Sequence, residues 1–243
     1  MDGFSKIQDK VTALRALCAE NIGETEIREI SVDLPECPYD ELYFRKAVSW
    51  LYVLFNETGP FLRFAAKLLR TDSQVSERFK SCKFLVECAR TVHAHNLSQE
   101  NASDEKRKRQ HDIWIIQNGG DPVDWVKCCK SLMDEAELVL QDILLKIEKI
   151  CEIDFDKREL WREYASDKRT HWDVHEFDPI IEKAAIDLEI DQLDYSQFRK
   201  DGGRQEKWRK YAAMFDSREA AEKAVERAIL TELASIFGVA PVP

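Results

Sequence analysis

The segment Cys88-Ala89-Arg90-Thr91-Val92-His93-Ala94-His95-Asn96-Leu97 holds the residues best suited to chemistry. Arg90 and His95 are separated by four residues. An arginine is a permanent cation whose planar fork matches the oxygens of a phosphate. A histidine gains and loses a proton near neutral pH. Together they supply the minimum parts for cutting RNA without a metal. One handles the proton of the attacking ribose 2′-hydroxyl, and the other stabilises the charge gathering around phosphorus. Asn96 follows His95 and is placed to orient its ring or touch substrate. His93 lies two positions before His95, so on a helix it points elsewhere, with a supporting role or none.

Other candidates are weaker. His171 and His175 share an i, i+4 spacing with Glu163, Asp167 and Glu176 nearby, but no third ligand of the right type stands at a fixed spacing. A polar helix face with two unrelated histidines is the better reading, so no metal is expected. Cys128 and Cys129 are adjacent, so on a helix they face different ways and are expected to pack rather than react. Neither GxGxxG nor GxxxxGK[ST] occurs, nor GxSxG or HExxH, and no cofactor is expected.

The elements that must carry these residues are helices. Ile7, Val11, Leu14, Leu17 and Cys18 form an apolar stripe over 5–20. Residues 40–56 are apolar on nearly every face, with Asp40 as N-cap, which suits a buried central helix. Pro60 starts a helix to about Arg70, and Thr71-Asp72-Ser73 caps one over 74–95. Residues 96–110 read as a polar loop, turning helical no earlier than Glu105. Asn118-Gly119-Gly120-Asp121-Pro122 is a break, with Asp121 as N-cap and Pro122 in the first turn of a long helix over 122–150. Ile30, Val32 and Leu34 alternate, as in a short strand or an extended linker. Further helices are expected at 157–172, 178–190, 204–214 and 217–237. The expected architecture is therefore all-α: an antiparallel bundle over 1–152 and a second helical region over 153–243.

Arg90-x4-His95 resembles the R-x4–6-H signature of HEPN domains, which are helical bundles. Arg169 and His175 also match that spacing, but in a more acidic, Trp-rich stretch; the apolar helix before Arg90 and the small Ala94 favour the first pair. The resemblance implies that Arg90 holds the scissile phosphate and His95 is the acid/base. It implies a metal-independent endoribonuclease working as a homodimer, with two motif copies in one composite site, as a toxin or antiviral defence effector. An antitoxin or a defence-complex protein is then an expected partner beside RNA. The alternative is a non-catalytic helical module, a degenerate HEPN or an unrelated bundle, binding a protein partner or a nucleotide.

Charge supports the first reading once it is resolved along the chain. The total is −10, from 46 Asp/Glu against 36 Lys/Arg, yet residues 59–111 carry 11 basic and 6 acidic side chains while 151–196 carry 6 and 14. The motif region is locally basic, as a phosphate ligand requires. Lys106, Arg107, Lys108 and Arg109 are candidate contacts to the RNA backbone, with a solvated charge run as the alternative. A second basic stretch, Arg199 to Lys210, contains Trp208, which is expected to be a buried anchor rather than a base-stacking platform. The N-terminus shows no basic region followed by an apolar run, and no stretch has the 18 or so apolar residues of a membrane span. Seven scattered cysteines with no CxxC pair fit a reduced, cytoplasmic chain off the membrane.

Overall fold

The computed structural model describes residues 3–22, 26–94 and 101–239, and at position 175 the backbone alone. The fold is all-α, with no strand among the described residues. The chain divides into two compact units, 1–161 and 162–243.

The first unit is a helical bundle. Helix α1 (Gly3–Asn21) buries Phe4, Ile7, Val11, Leu14 and Cys18, the expected stripe extended by one turn. Irregular chain follows, and Ile30, Val32 and Leu34 form no strand. This linker is tied down where the Arg28 N–H donates to Thr58 O at 2.8 Å. The contact depends on Gly59, which has φ +127° and whose absent Cβ would lie 2.8 Å from Glu26 O. Helix α2 (Glu41–Asn56) starts where Asp40 accepts the Tyr43 N–H at 2.8 Å. It buries eight residues, Phe44 and Leu51 completely.

Helix α3 (Phe61–Leu68) follows, with Pro60 in the N-cap position rather than inside the helix. Asp72 then accepts the Gln74 and Val75 amides to start α4 (Ser73–Ala94). Helix α5 (Ala102–Gly119) corrects the sequence expectation: Asn101 accepts the Ser103 N–H, so the chain is helical well before residue 110. Composition hid this, since α5 is so polar that only His111, Ile115 and Gly119 are buried. Helix α6 (Trp125–Cys151), by contrast, starts later than expected. Its cap is Asp124, which accepts the Val126 and Lys127 amides, not Asp121. Helices α2, α4, α5 and α6 pack on one another, and α1 lies against α6.

Helix α7 (Asp154–Thr170) runs from the first unit into the second. In the first, Trp161 stacks on Phe61, with ring centroids 6.4 Å apart. The second unit is built on α8 (Asp178–Asp187), α9 (Tyr195–Lys200), α10 (Arg204–Ala212) and α11 (Arg218–Phe237), with α11 packed on α8 and α10. Its core joins Trp172, Phe177, Trp208 and the α11 stripe Ala221, Val225, Ile229 and Leu233. Trp172 stacks on Phe177 at 5.3 Å, while the Arg218 guanidinium lies 3.6 Å above its ring.

Candidate functional site

The motif straddles the end of α4. Arg90 and His93 lie in its last turns, three residues apart, and so share a face. His95 and Asn96 follow Ala94 directly and lie outside the described residues. The described part of the site therefore consists of Arg90, His93 and what meets them.

Phe44 of α2 is the hub of this region. Its ring meets His93 of α4 at 5.9 Å, Trp114 of α5 at 5.9 Å and Trp125 of α6 at 5.5 Å. One buried phenyl thus fixes the spacing of four helices around the motif. Tyr52, two turns further along α2, lies under Arg90, with the guanidinium carbon 5.5 Å from the ring centre. Arg90 Nη1 is buried and makes no hydrogen bond. A guanidinium N–H left unmet in the protein is a donor available to an oxyanion ligand.

His93 meets His111 of α5 edge to face, with ring centroids 5.0 Å apart and planes at 85°. His111 is 5% exposed and pairs through Nδ1 with Asp112 Oδ1 at 3.0 Å. The Nε2 atoms of both histidines are buried without a hydrogen bond. Burial pushes the His93 imidazole down to about 4, and the charges of His111 and Arg45 push the same way against Glu41. Arg45 itself pairs with Glu41 one turn away on α2. His93 is therefore a neutral imidazole at pH 7. Nearby, Glu135 of α6 accepts the Trp114 Nε1–H at 3.1 Å, and burial raises its carboxyl above the ordinary range.

The basic run belongs to α5 rather than to a loop. Lys106, Lys108 and Arg109 are exposed and Arg107 is half-buried. Arg107 and Lys106 lie close enough to α4 to draw the Cys88 thiol down against the larger effect of its burial, which raises it. Cys88 stands two residues before Arg90, so these cations flank the motif.

The remaining candidates are placed elsewhere. Helix α7 ends at Thr170 and His175 falls in a short 3-10 turn, so His171 and His175 do not share a helix face. His171 Nε2 instead meets Asp173 at 3.1 Å. Among the described residues no group of three or more His, Cys, Asp or Glu side chains is arranged to hold a metal. Cys128 and Cys129 are both fully buried. The arginines of the second basic stretch are each paired within the unit: Arg199 with Asp178, Arg204 with Glu232, and Arg209 with Glu206. Trp208 is 3% exposed and donates its Nε1–H to Glu232 at 3.3 Å, so it anchors α10 to α11.

His111 is the residue the motif did not reveal. Its signal was the buried stripe His111, Ile115 and Gly119 at i, i+4, i+8, which turns this histidine inward from an otherwise polar helix. No helix among the described residues is long and apolar enough to cross a membrane. No known protein family, curated protein or solved structure matches the chain.

Proposed function

We propose that this protein is a metal-independent endoribonuclease of the HEPN type, acting in the cytoplasm as a toxin or antiviral defence effector. The observation that carries the reading is the buried Nη1 of Arg90, which has no hydrogen bond and lies on the face of α4 that bears His93. The flanking cations of α5 favour a polyanion at the same place.

In this reading Arg90 holds the scissile phosphate. The 2′-hydroxyl gives its proton to a neutral imidazole as its oxygen bonds to phosphorus. The P–O5′ bond breaks, and the 5′-oxygen leaves with a proton from a protonated imidazole. His95 is an acid/base of this exchange, with Asn96 orienting it, and His93 is the second imidazole at hand. Lys106 to Arg109 bind the RNA backbone. A homodimer brings two such motifs together, and an antitoxin or defence-complex protein restrains or recruits the enzyme.

The test is RNA cleavage by the wild type and by His95→Ala and Arg90→Ala, with and without EDTA. The expected result is a loss of about 10²–10³-fold or more in each variant and no effect of the chelator. A His95→Ala protein that cleaves as fast as the wild type, or EDTA-sensitive cleavage, overturns the reading. One observation favours the alternative of a non-catalytic binding module: the His93 and His111 rings pack as core rings against each other, with Phe44 beneath His93. A module of that kind retains binding of its protein or nucleotide partner and cleaves nothing.

A further inference from the structure

The pairing of His111 with Asp112, and of both with His93, is not part of the Arg90/His95 motif. We propose that His111, oriented by Asp112, is a positioning residue of this site, which holds the His93 ring in place and keeps it free to accept the proton of the 2′-hydroxyl. The proposal rests on the endoribonuclease reading and deepens it by assigning the base.

The geometry runs from the outside in. Asp112 is exposed on α5 and meets His111 Nδ1 at 3.0 Å. A carboxylate at Nδ1 draws the ring proton to that nitrogen and leaves Nε2 bare, the arrangement by which carboxylates orient working histidines elsewhere. His111 Nε2 is buried and has no hydrogen bond, in agreement with a bare nitrogen. His111 in turn presents its ring edge-to-face to His93 at 5.0 Å, while Phe44 supports His93 at 5.9 Å. His93 is thereby clamped between α2 and α5.

The same contact sets the protonation of the pair. Two imidazolium ions at this separation repel each other, so a first proton disfavours a second. The His111 ring is among the groups that hold His93 unprotonated. The groups facing His93 add to this bias: Arg45 of α2 repels a proton on it, Glu41 opposes Arg45 but is already paired with it, and Arg90 stands one turn back on the same helix. On α6, Glu135 is engaged by Trp114 rather than by either histidine. His93 is then the group that accepts, and His111 the group that keeps it accepting.

The experiment follows the imidazole resonances of the full chain by NMR across pH, together with the pH profile of RNA cleavage. In the wild type His111 is expected to carry its proton on Nδ1. Asp112→Ala, a change at an exposed position, is expected to abolish that preference. His111→Phe keeps an aromatic ring against His93 and removes the imidazole. In it the His93 midpoint is expected to move up from about 4, and the acidic limb of the cleavage profile to move up with it. A wild-type His111 protonated at Nε2 overturns the proposal. So does a His111→Phe protein whose His93 midpoint and acidic limb both stay where they were. A wild type that cleaves no RNA at any pH overturns the endoribonuclease reading instead, and the NMR titration then decides by itself whether His111 governs His93.

Discussion

The His93 imidazole rests edge-on against the Phe44 ring, with centroids 5.9 Å apart and planes at 76°. This contact removes His93 from water on one side and is part of the burial that lowers its proton affinity. The consequence for stability has a definite sign. The folded midpoint of about 4 lies below the ordinary 6.5, so between those values the unfolded chain binds more protons than the folded one. Stability therefore rises with pH through that window and is lost as pH falls through it. Discounted for the part of the ring still in contact with solvent, His93 accounts for roughly 1–2 kcal/mol of that loss. Urea midpoints measured from about pH 7 to about pH 4 are expected to fall more steeply in the wild type than in His93→Phe.

The basic run on α5 makes a prediction about salt. Lys106, Lys108 and Arg109 are exposed, and replacing each with Gln leaves the buried face of α5 untouched. RNA binding is expected to weaken with each replacement. The slope of log affinity against log salt is expected to shrink by about 0.7 per lost phosphate contact on a single strand. An unchanged slope across the series would place the RNA elsewhere.

Thiol reactivity is a test of the bundle core. Burial pushes the Cys18, Cys82 and Cys129 thiols up to about 12, so almost none is thiolate at neutral pH. Cys37 is exposed. Titration with a disulfide reagent in native buffer is expected to modify Cys37 in the fast phase. Cys18, Cys82 and Cys129 are expected to react only on unfolding.

The sequence disclosed most of the helices because their buried residues recur at helical spacing, as in α1 with Ile7, Val11, Leu14 and Cys18. It disclosed the Asp40 cap and one within Thr71-Asp72-Ser73 because a short polar side chain there precedes an apolar period. It concealed the start of α5, where a capping Asn101 precedes charged residues and only three side chains face the core. Of the candidate site, Arg90 could be singled out because His95 stands five residues further along the chain. His111 could not, because its meeting with His93 is made across two helices by the packing of Phe44 and cannot be read from local spacing.

In the second unit, Arg199 is 4% exposed and held by Asp178, with a further bond from Nη1 to Val174 O at 3.1 Å. Removing one partner of such a buried pair leaves the other uncompensated, which costs about 3–5 kcal/mol. Asp178 is partly exposed, so Arg199→Met is expected at the lower end of that range. Thermal melting of Arg199→Met and of the double variant with Asp178→Asn checks this, the double variant recovering part of the loss.

Gly119 tests how closely α5 and α6 approach. It is the last residue of α5 and is buried. A Cβ there would lie 2.4 Å from Cys128 Sγ, 3.2 Å from Val123 Cγ1 and 3.3 Å from Asp124 O. Two effects oppose each other in Gly119→Ala. Alanine gains up to about 1 kcal/mol in helix propensity, less at a terminus. Against it stands a contact far inside van der Waals range with a short, fully buried thiol. Overpacking of this kind costs about 1–3 kcal/mol, so it outweighs the propensity and the variant is expected to be destabilised. Cys128→Ala removes the sulfur and leaves only the milder contacts. The double variant is therefore expected to be more stable than the sum of the single changes, by about 1 kcal/mol in a denaturation cycle. Additive losses would mean that the helices part at Gly119 rather than collide there.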